Sequence, residues 1–327
     1  LYRMAERPYF DTKLDFSLGE NTPLPHLSKM RSLARLLFLR SWLLADVGDF
    51  EGAMDDLLCA MTIARFLYSE PILISHLVAY VMESGAVNTF HVIHTHCGMA
   101  AWPTEQLERL SAALDPTKCQ TVFPEAIKGE AVVCTTGLRR LILQKQAPVE
   151  KSQSLIAKGW YLMWQRILYY PLLQLQQASL LDYLRFARIE SRHDAVHAVV
   201  VGFKMKIPEI YEESSMIINV LSKAPYKMWR HKMELAVARS ALDIELYART
   251  HGDYPPLDRI NVAVALPLDT FAAPRTLKYD KQADGFMIYS FWDDFKDDGG
   301  MPLGQDMRGD LVVTVRQTPA ASEGSTP

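Results

Sequence analysis

The sequence lacks most of the short motifs that carry well-known chemistry. It has no Gly-x-Ser-x-Gly nucleophile elbow, no P-loop and no glycine fingerprint for dinucleotides. Its longest apolar runs, such as residues 195–203, are far shorter than the roughly eighteen residues that span a bilayer. The net charge of −3 also gives no basic face for nucleic acid. These absences exclude enzymes that depend on a nucleophile elbow, a P-loop or a dinucleotide fingerprint. Nucleic acid is not an expected partner.

Cysteine is scarce and its spacing is uninformative. The four cysteines, Cys59, Cys97, Cys119 and Cys134, contain no Cys-x-x-Cys pair. A zinc site of the usual spacing and a disulfide-dense scaffold are therefore excluded. Cys59 lies among apolar helical positions and is predicted to be a small buried hydrophobe. A disulfide among the other three stays open.

Helical periodicity dominates the sequence from residue 28 to residue 224. Residues 1–27 are rich in proline and turn formers and are predicted to be an irregular lead-in. Gly48 and Asp49 are predicted to end the first helix, and a second begins at Phe50. Two antiparallel helices joined by a short glycine turn form an αα-hairpin. The first helix carries apolar residues at helical spacing: Leu33, Leu36, Leu37 and Leu44.

This hairpin resembles one tetratricopeptide repeat. It has small residues, an aromatic residue and a turn glycine where that family places them. The matching residues are Ser41, Gly48, Phe50, Ala53, Leu57 and Ala60. The match covers about one thirty-four-residue unit, and the sequence has no second clear copy at that period. An ordinary helical hairpin is the alternative interpretation, because a single unit cannot form a solenoid.

After Pro225 the pattern changes to one long helix followed by three short strands. The helix is predicted from about Tyr226 to Thr250, with Gly252 as its C-cap. The strands are predicted at residues 276–280, 285–291 and 310–316. The predicted fold class is therefore mostly α, a helical array (28–224) with a C-terminal α+β module (225–316) and a disordered tail (317–327).

Several features of this module resemble the globular part of major pseudopilins of type II secretion systems. They are the stretch ALDIELYARTHGDYP (241–255), Asp269 before a strand pair, Tyr289-Ser290 at a strand end, and an acidic glycine-rich loop (293–300) before GDLVVTV. The resemblance covers residues 230–316, and the joined helical region is similar to proteins of planctomycetes and their relatives. It implies an extracytoplasmic, cell-envelope setting and assembly with other chains. The prepilin-peptidase motif and apolar N-terminal helix of a fibre subunit do not appear in the sequence.

The acidic loop is the strongest candidate for an ion site. Clustered carboxylates repel one another, and calcium, which takes about six to eight oxygen ligands, suits such a loop. The resemblance implies a structural calcium ion with Asp294 and Asp310 as ligands, and Asp298 and Asp306 complete the predicted set. The spacing is not that of an EF-hand. A solvated acidic turn without an ion is the alternative.

Helix-borne histidines carry the rival hypothesis of a metal-dependent hydrolase. One group is His91, His94 and His96 with Cys97, but no carboxylate lies in that segment to orient the rings. The other is His193 and His197, which are four residues apart but lack the glutamate of zinc proteases. Both groups are therefore predicted to be packing histidines.

The sequence favours a non-enzymatic cell-envelope scaffold that binds other proteins, in a role related to secretion. A scaffold predicts dispersed histidines and an exposed apolar patch. A hydrolase predicts a pocket where histidines and carboxylates converge. An interior site for a lipid or peptide is a third hypothesis, with no motif behind it. Since the sequence begins with Leu1, a fragment or processed form is expected, and a membrane anchor upstream stays open.

Overall fold

The computed structural model describes residues 12–144, 223–272, 274–292, 296–304 and 309–316. This part is mostly helical and contains one small three-stranded antiparallel sheet, so the coarse fold class is confirmed. The helices predicted between residues 145 and 222 and the predicted tail lie outside the described residues.

Seven α-helices and three strands make up the described part of the chain. The helices are α1 (Pro25–Asp46), α2 (Phe50–Phe66), α3 (Leu73–Cys97), α4 (Thr104–Ala113), α5 (Lys118–Gln144), α6 (Ala224–His251) and α7 (Ile260–Ala263). The strands are β1 (Lys278–Gln282), β2 (Gly285–Ser290) and β3 (Leu311–Arg316). Helix α1 begins slightly earlier than predicted, because Pro25 fits the first turn of a helix.

The turn between α1 and α2 has the predicted glycine geometry. Gly48 adopts a φ of 84°, a left-handed conformation that favours glycine. Its N–H donates to the carbonyl of Ala45 (3.0 Å), and the N–H of Asp49 donates to that of Leu44 (2.8 Å). These two bonds form a Schellman motif. The Asp49 carboxylate then accepts from the N–H of Gly52 (2.9 Å) and caps α2.

The sheet has the order β1-β2-β3, and both pairings are antiparallel. Ile288 at its centre pairs with Tyr279 of β1 and Val313 of β3. Phe286, Ile288 and Val315 are buried, and both β2 and β3 contact α6. The sheet therefore covers one side of α6, as the predicted arrangement of a long helix over a small sheet requires.

Helix α6 also packs against the helices that precede it. It contacts α3, α4 and α5, and the buried residues from α1 to β3 form one continuous hydrophobic core. The predicted boundary between residues 224 and 225 falls at the first turn of α6. The helix at the centre of the predicted α+β module therefore belongs to both packing layers.

Candidate functional site

The structure describes two of the four predicted calcium ligands. Asp294 and Asp306 lie outside the described residues. Asp298 is exposed, whereas Asp310 is only 1% exposed and immediately precedes β3. The two described aspartates therefore have different environments, and Asp310 is the one held inside the protein.

Asp310 has one carboxylate oxygen in use and one without a partner. Its Oδ2 accepts from the N–H of Gly300 (2.7 Å), while its buried Oδ1 has no hydrogen-bond partner within the described residues. Burial raises the pKa of Asp310, and the nearby carboxylates of Asp298 and Asp297 raise it further. A cation would give Oδ1 of Asp310 a binding partner and would reduce the repulsion among these carboxylates.

The described residues alone do not complete a metal site. Among them, no group of three or more histidine, cysteine, aspartate and glutamate residues is arranged to hold a metal ion. Asp298 and Asp310 are a partial donor set, so the calcium site stays a prediction that depends on Asp294 and Asp306.

Asp269, which the pseudopilin resemblance includes, fastens a loop to the end of β2. Its Oδ1 accepts from the Ser290 hydroxyl (2.8 Å) and the N–H of Phe271 (2.9 Å). Its Oδ2 accepts from the N–H of Phe291 (2.9 Å). Burial raises the pKa of Asp269 in spite of these bonds. Each oxygen is already used, so Asp269 holds the loop in place and is not an ion ligand.

The histidines at the end of α3 contact each other instead of a carboxylate. Nδ1 of His91 lies 2.9 Å from Nε2 of His94, and His96 packs near the Trp42 ring. Burial lowers the pKa of His91, and it lowers the pKa of His94 to about 4. Both rings are therefore neutral at physiological pH. His193 and His197 lie outside the described residues. The four cysteines are free thiols.

Tertiary packing assembles a buried polar cluster that the sequence does not predict. His231 of α6 is 2% exposed, and its Nε2 lies 2.9 Å from Oε2 of Glu83 on α3. Its Nδ1 lies 3.1 Å from the Ser84 hydroxyl, which donates to Oε2 of Glu234 (2.5 Å). Glu83 also accepts from the Arg65 guanidinium (3.0 Å). These residues are spread over three helices, so no local pattern could reveal them.

The carboxylates around His231 hold it in its charged form. Burial lowers the pKa of His231, but its bonds with Glu234 and Glu83 outweigh burial, and the pKa is raised above 6.5. Burial is the largest single effect on Glu83 and Glu234 and raises their pKa values, but their hydrogen bonds and nearby positive charges together outweigh it, so both pKa values are lowered below 4.5. The cluster therefore favours a protonated His231 between two carboxylates.

Ser84, His231 and Glu83 are the residue types of a catalytic triad, but their hydrogen bonds differ from those of a triad. A general base must accept the serine proton, whereas here the Ser84 hydroxyl donates to Glu234 and not to His231. Ser84 also lies inside α3, where backbone N–H groups are used by the helix and cannot form an oxyanion hole. The cluster is suited to joining α3 and α6, not to acyl transfer.

A groove of about 420 Å³ lies over this cluster, between α3 and α6. Arg230 lines it with its guanidinium 4.8 Å above the Trp292 ring and its Nε 3.2 Å from Oε1 of Glu234. The lining residues also include Tyr80, Ser84, Asn88 and Lys227. The groove therefore has a polar floor and cationic side chains.

The outer face of α1 is apolar and exposed. Leu36 is 64% exposed although the sequence places it with Leu37, which is buried. The exposed apolar side chains of this face, hereafter the α1 face, are Leu36, Leu39, Trp42, Leu43 and Val47. Five large exposed apolar side chains on one helix are a candidate interaction surface.

No described helix is both long enough and apolar enough to cross a membrane. Comparison with family models, with curated proteins and with solved structures gives no match for this chain.

Proposed function

We propose that this chain is a non-enzymatic scaffold of the cell envelope that binds another protein molecule through the α1 face. The observation that carries the proposal is the exposure of five large apolar side chains, from 39% to 77%, on one helix. The pseudopilin resemblance of residues 230–316 and the tetratricopeptide resemblance of α1 and α2 support an envelope setting and a role in secretion-related assembly.

A second copy of this chain is the partner that the charges of α1 favour. Arg31 and Arg35 are exposed near the N-terminal end of the α1 face, and Asp46 is exposed at its C-terminal end. When two copies of α1 pack antiparallel, the arginines of each copy approach Asp46 of the other, and the leucines meet between them. A parallel arrangement would place like charges together, so antiparallel self-association is the expected geometry.

The size of the α1 face predicts a weak, reversible dimer. Burying the exposed part of each apolar side chain contributes roughly 1 kcal/mol, or about 10 kcal/mol for the ten side chains of two copies. Association costs an estimated 4–15 kcal/mol in lost freedom of motion, roughly the same amount. Self-association should therefore depend strongly on protein concentration.

Analytical ultracentrifugation over a range of concentrations tests this proposal. The wild-type chain should form dimers, and Leu39→Gln with Leu43→Gln should make it monomeric, since both leucines would be buried between copies. Leu257→Gln with Val262→Gln is the matched control, because these residues are at least as exposed as Leu39 and Leu43 but lie outside the α1 face. The control should associate as the wild type does.

Charge exchange then tests the antiparallel geometry. Arg35→Glu alone and Asp46→Lys alone should each weaken the dimer, and the two substitutions together should restore it. A wild-type chain that is monomeric at every concentration, or one that dimerises equally well after Leu39→Gln with Leu43→Gln, would refute the proposal.

The proposal includes one structural calcium ion in the loop before β3. The unpartnered Oδ1 of Asp310 and the neighbouring carboxylates of Asp297 and Asp298 support it. The rival hydrolase gains no support from the described histidines, because His91 and His94 are hydrogen-bonded to each other.

A further inference from the structure

We propose that the groove between α3 and α6 binds a small organic anion, a carboxylate or a phosphate ester with an apolar or aromatic group, through Arg230 and Lys227. This site is distinct from the α1 face and from the acidic loop, and its occupation would not require either of them.

Arg230 is held ready to bind an anion. Its Nε donates to Glu234, and its guanidinium carbon lies 4.8 Å from the centre of the Trp292 ring, so two contacts restrict its orientation. Within the described residues, neither of its terminal nitrogens has a hydrogen-bond acceptor. A fixed guanidinium with two available N–H donors on one edge matches the geometry of a carboxylate or phosphate group.

The charge of the groove favours an anion over a cation. Lys227 is exposed at the groove and has no partner within the described residues, and Glu234 is the only carboxylate among the lining residues that the structure describes. Glu234 is already bonded to Arg230 and Ser84. The charge that remains for a ligand to meet is therefore positive.

Tyr80 forms part of the groove wall with its ring. Its side chain is 4% exposed and lines the groove, and its ring is stacked on His231 at 4.8 Å. Its hydroxyl is buried away from solvent, so a ligand in the groove would meet the ring and not the hydroxyl.

The apolar part of the ligand would lie along the walls of the groove. Leu77, Val81 and the ring of Tyr80 line it beside the polar residues. A volume of about 420 Å³ accommodates a molecule the size of a substituted aromatic ring. The ligand class is thus an amphiphilic small anion, and inorganic ions alone would leave these walls unused.

Isothermal titration calorimetry on the full chain with benzoate, phenyl phosphate and neutral benzyl alcohol tests the proposal. At least one of the two anions should bind and benzyl alcohol should not, and the preference between the anions identifies the headgroup. Arg230→Gln should weaken binding about 10- to 100-fold, because it removes the charged fork. Arg259→Gln, which removes an exposed arginine outside the groove lining, is the matched control and should bind as the wild type does.

Lys227→Gln guards the test against a folding artefact. Lys227 is exposed at the groove, so its substitution should leave the melting temperature unchanged, whereas anion affinity should drop severalfold. Equal affinity of wild type, Arg230→Gln and Lys227→Gln would overturn the proposal. So would equal binding of benzyl alcohol, or no binding of either anion at millimolar concentration.

Discussion

The ionisable residues that join α3 to α6 make the stability of the protein depend on pH. Because the pKa of His231 is raised, its contribution is complete below the unfolded value of 6.5 and is lost as pH rises through the folded pKa. Because the pKa values of Glu83 and Glu234 are lowered, their contributions are present above 4.5 and are lost as pH falls through their folded pKa values. The cluster therefore stabilises most between pH 4.5 and 6.5.

Replacing Glu83 with glutamine should destabilise the protein and reduce this pH dependence. The substitution leaves the His231 imidazolium and the Arg65 guanidinium without their buried counter-charge, which costs about 3 kcal/mol or more. Chemical denaturation at a series of pH values from 5 to 8 measures both effects.

Asp55→Asn is the matched control for Glu83→Gln. Like Glu83→Gln, it breaks an ion pair between a carboxylate and an arginine. This pair is on the surface, because Asp55 and Arg109 are both 39% exposed. Exposed pairs contribute less than about 1 kcal/mol. If the two variants lost equal stability, the buried cluster would not hold α3 and α6 together as described.

Leucines on α1 show why sequence could not identify its buried side. Leucine occurs at positions 27, 33, 36, 37, 39, 43 and 44, and all but Leu27 lie within about 160° of the helix circumference, so leucine content alone favours that side as the buried one. The structure buries a stripe of smaller and mixed residues instead, including Met30, Ala34, Leu37, Ser41 and Ala45. Periodicity therefore predicted the helix, but only packing against α2 and α3 determined which face is exposed.

At the scale of elements, local chemistry was sufficient for the turns, helix ends and strands. Gly48 and Gly252 have positive φ at the ends of α1 and α6, as their positions predicted. The three strands lie within two residues of their predicted bounds. The contact of Glu83 with His231 could not be predicted, because 148 residues separate them. The same is true of the groove that Arg230 lines.

The loop before β3 should gain stability from calcium. If calcium binds the folded protein and not the unfolded chain, saturation at about 100 times the Kd adds about 2.7 kcal/mol and raises the melting temperature. Asp310→Asn and Asp294→Ala should each abolish this rise, because each removes a predicted ligand. Differential scanning calorimetry with calcium and with a chelator measures the effect.

Asp284→Asn controls for the removal of an acidic side chain. Asp284 is exposed in the turn between β1 and β2, outside the predicted ligand set, so its substitution should leave the calcium response unchanged. An identical melting temperature with calcium and with chelator in the wild type would rule out the ion and leave a solvated acidic turn.

At the scale of the whole molecule, α6 ties the α+β module to the helices before it. Arg249 donates to the carbonyls of Met99 and Trp102 (both 2.7 Å), and Asp243 accepts from the Ser111 hydroxyl (2.5 Å). Together with His231, these bonds cross the predicted boundary between residues 224 and 225. The sequence could not predict them because each pairs distant segments.

A fragment of residues 225–316 is therefore expected to fold incompletely or to aggregate. It would expose the side of α6 that covers α3, α4 and α5, which includes apolar and charged groups that lose their partners. Circular dichroism and size-exclusion chromatography measure this outcome. Mixing the fragment with residues 12–144 is the control, and it should restore helicity and solubility. A fragment that is monomeric and fully cooperative by itself would contradict this expectation.

Helix α6 is 28 residues long, or about 42 Å, and each of its two sides is covered by a different layer of the protein. If α6 and the sheet were transferred to another scaffold, that scaffold would have to cover the side of α6 that α3, α4 and α5 cover here. For the same reason, substitutions on α3, α4 or α5 that alter the packing of α6 would also affect the strands on its other side.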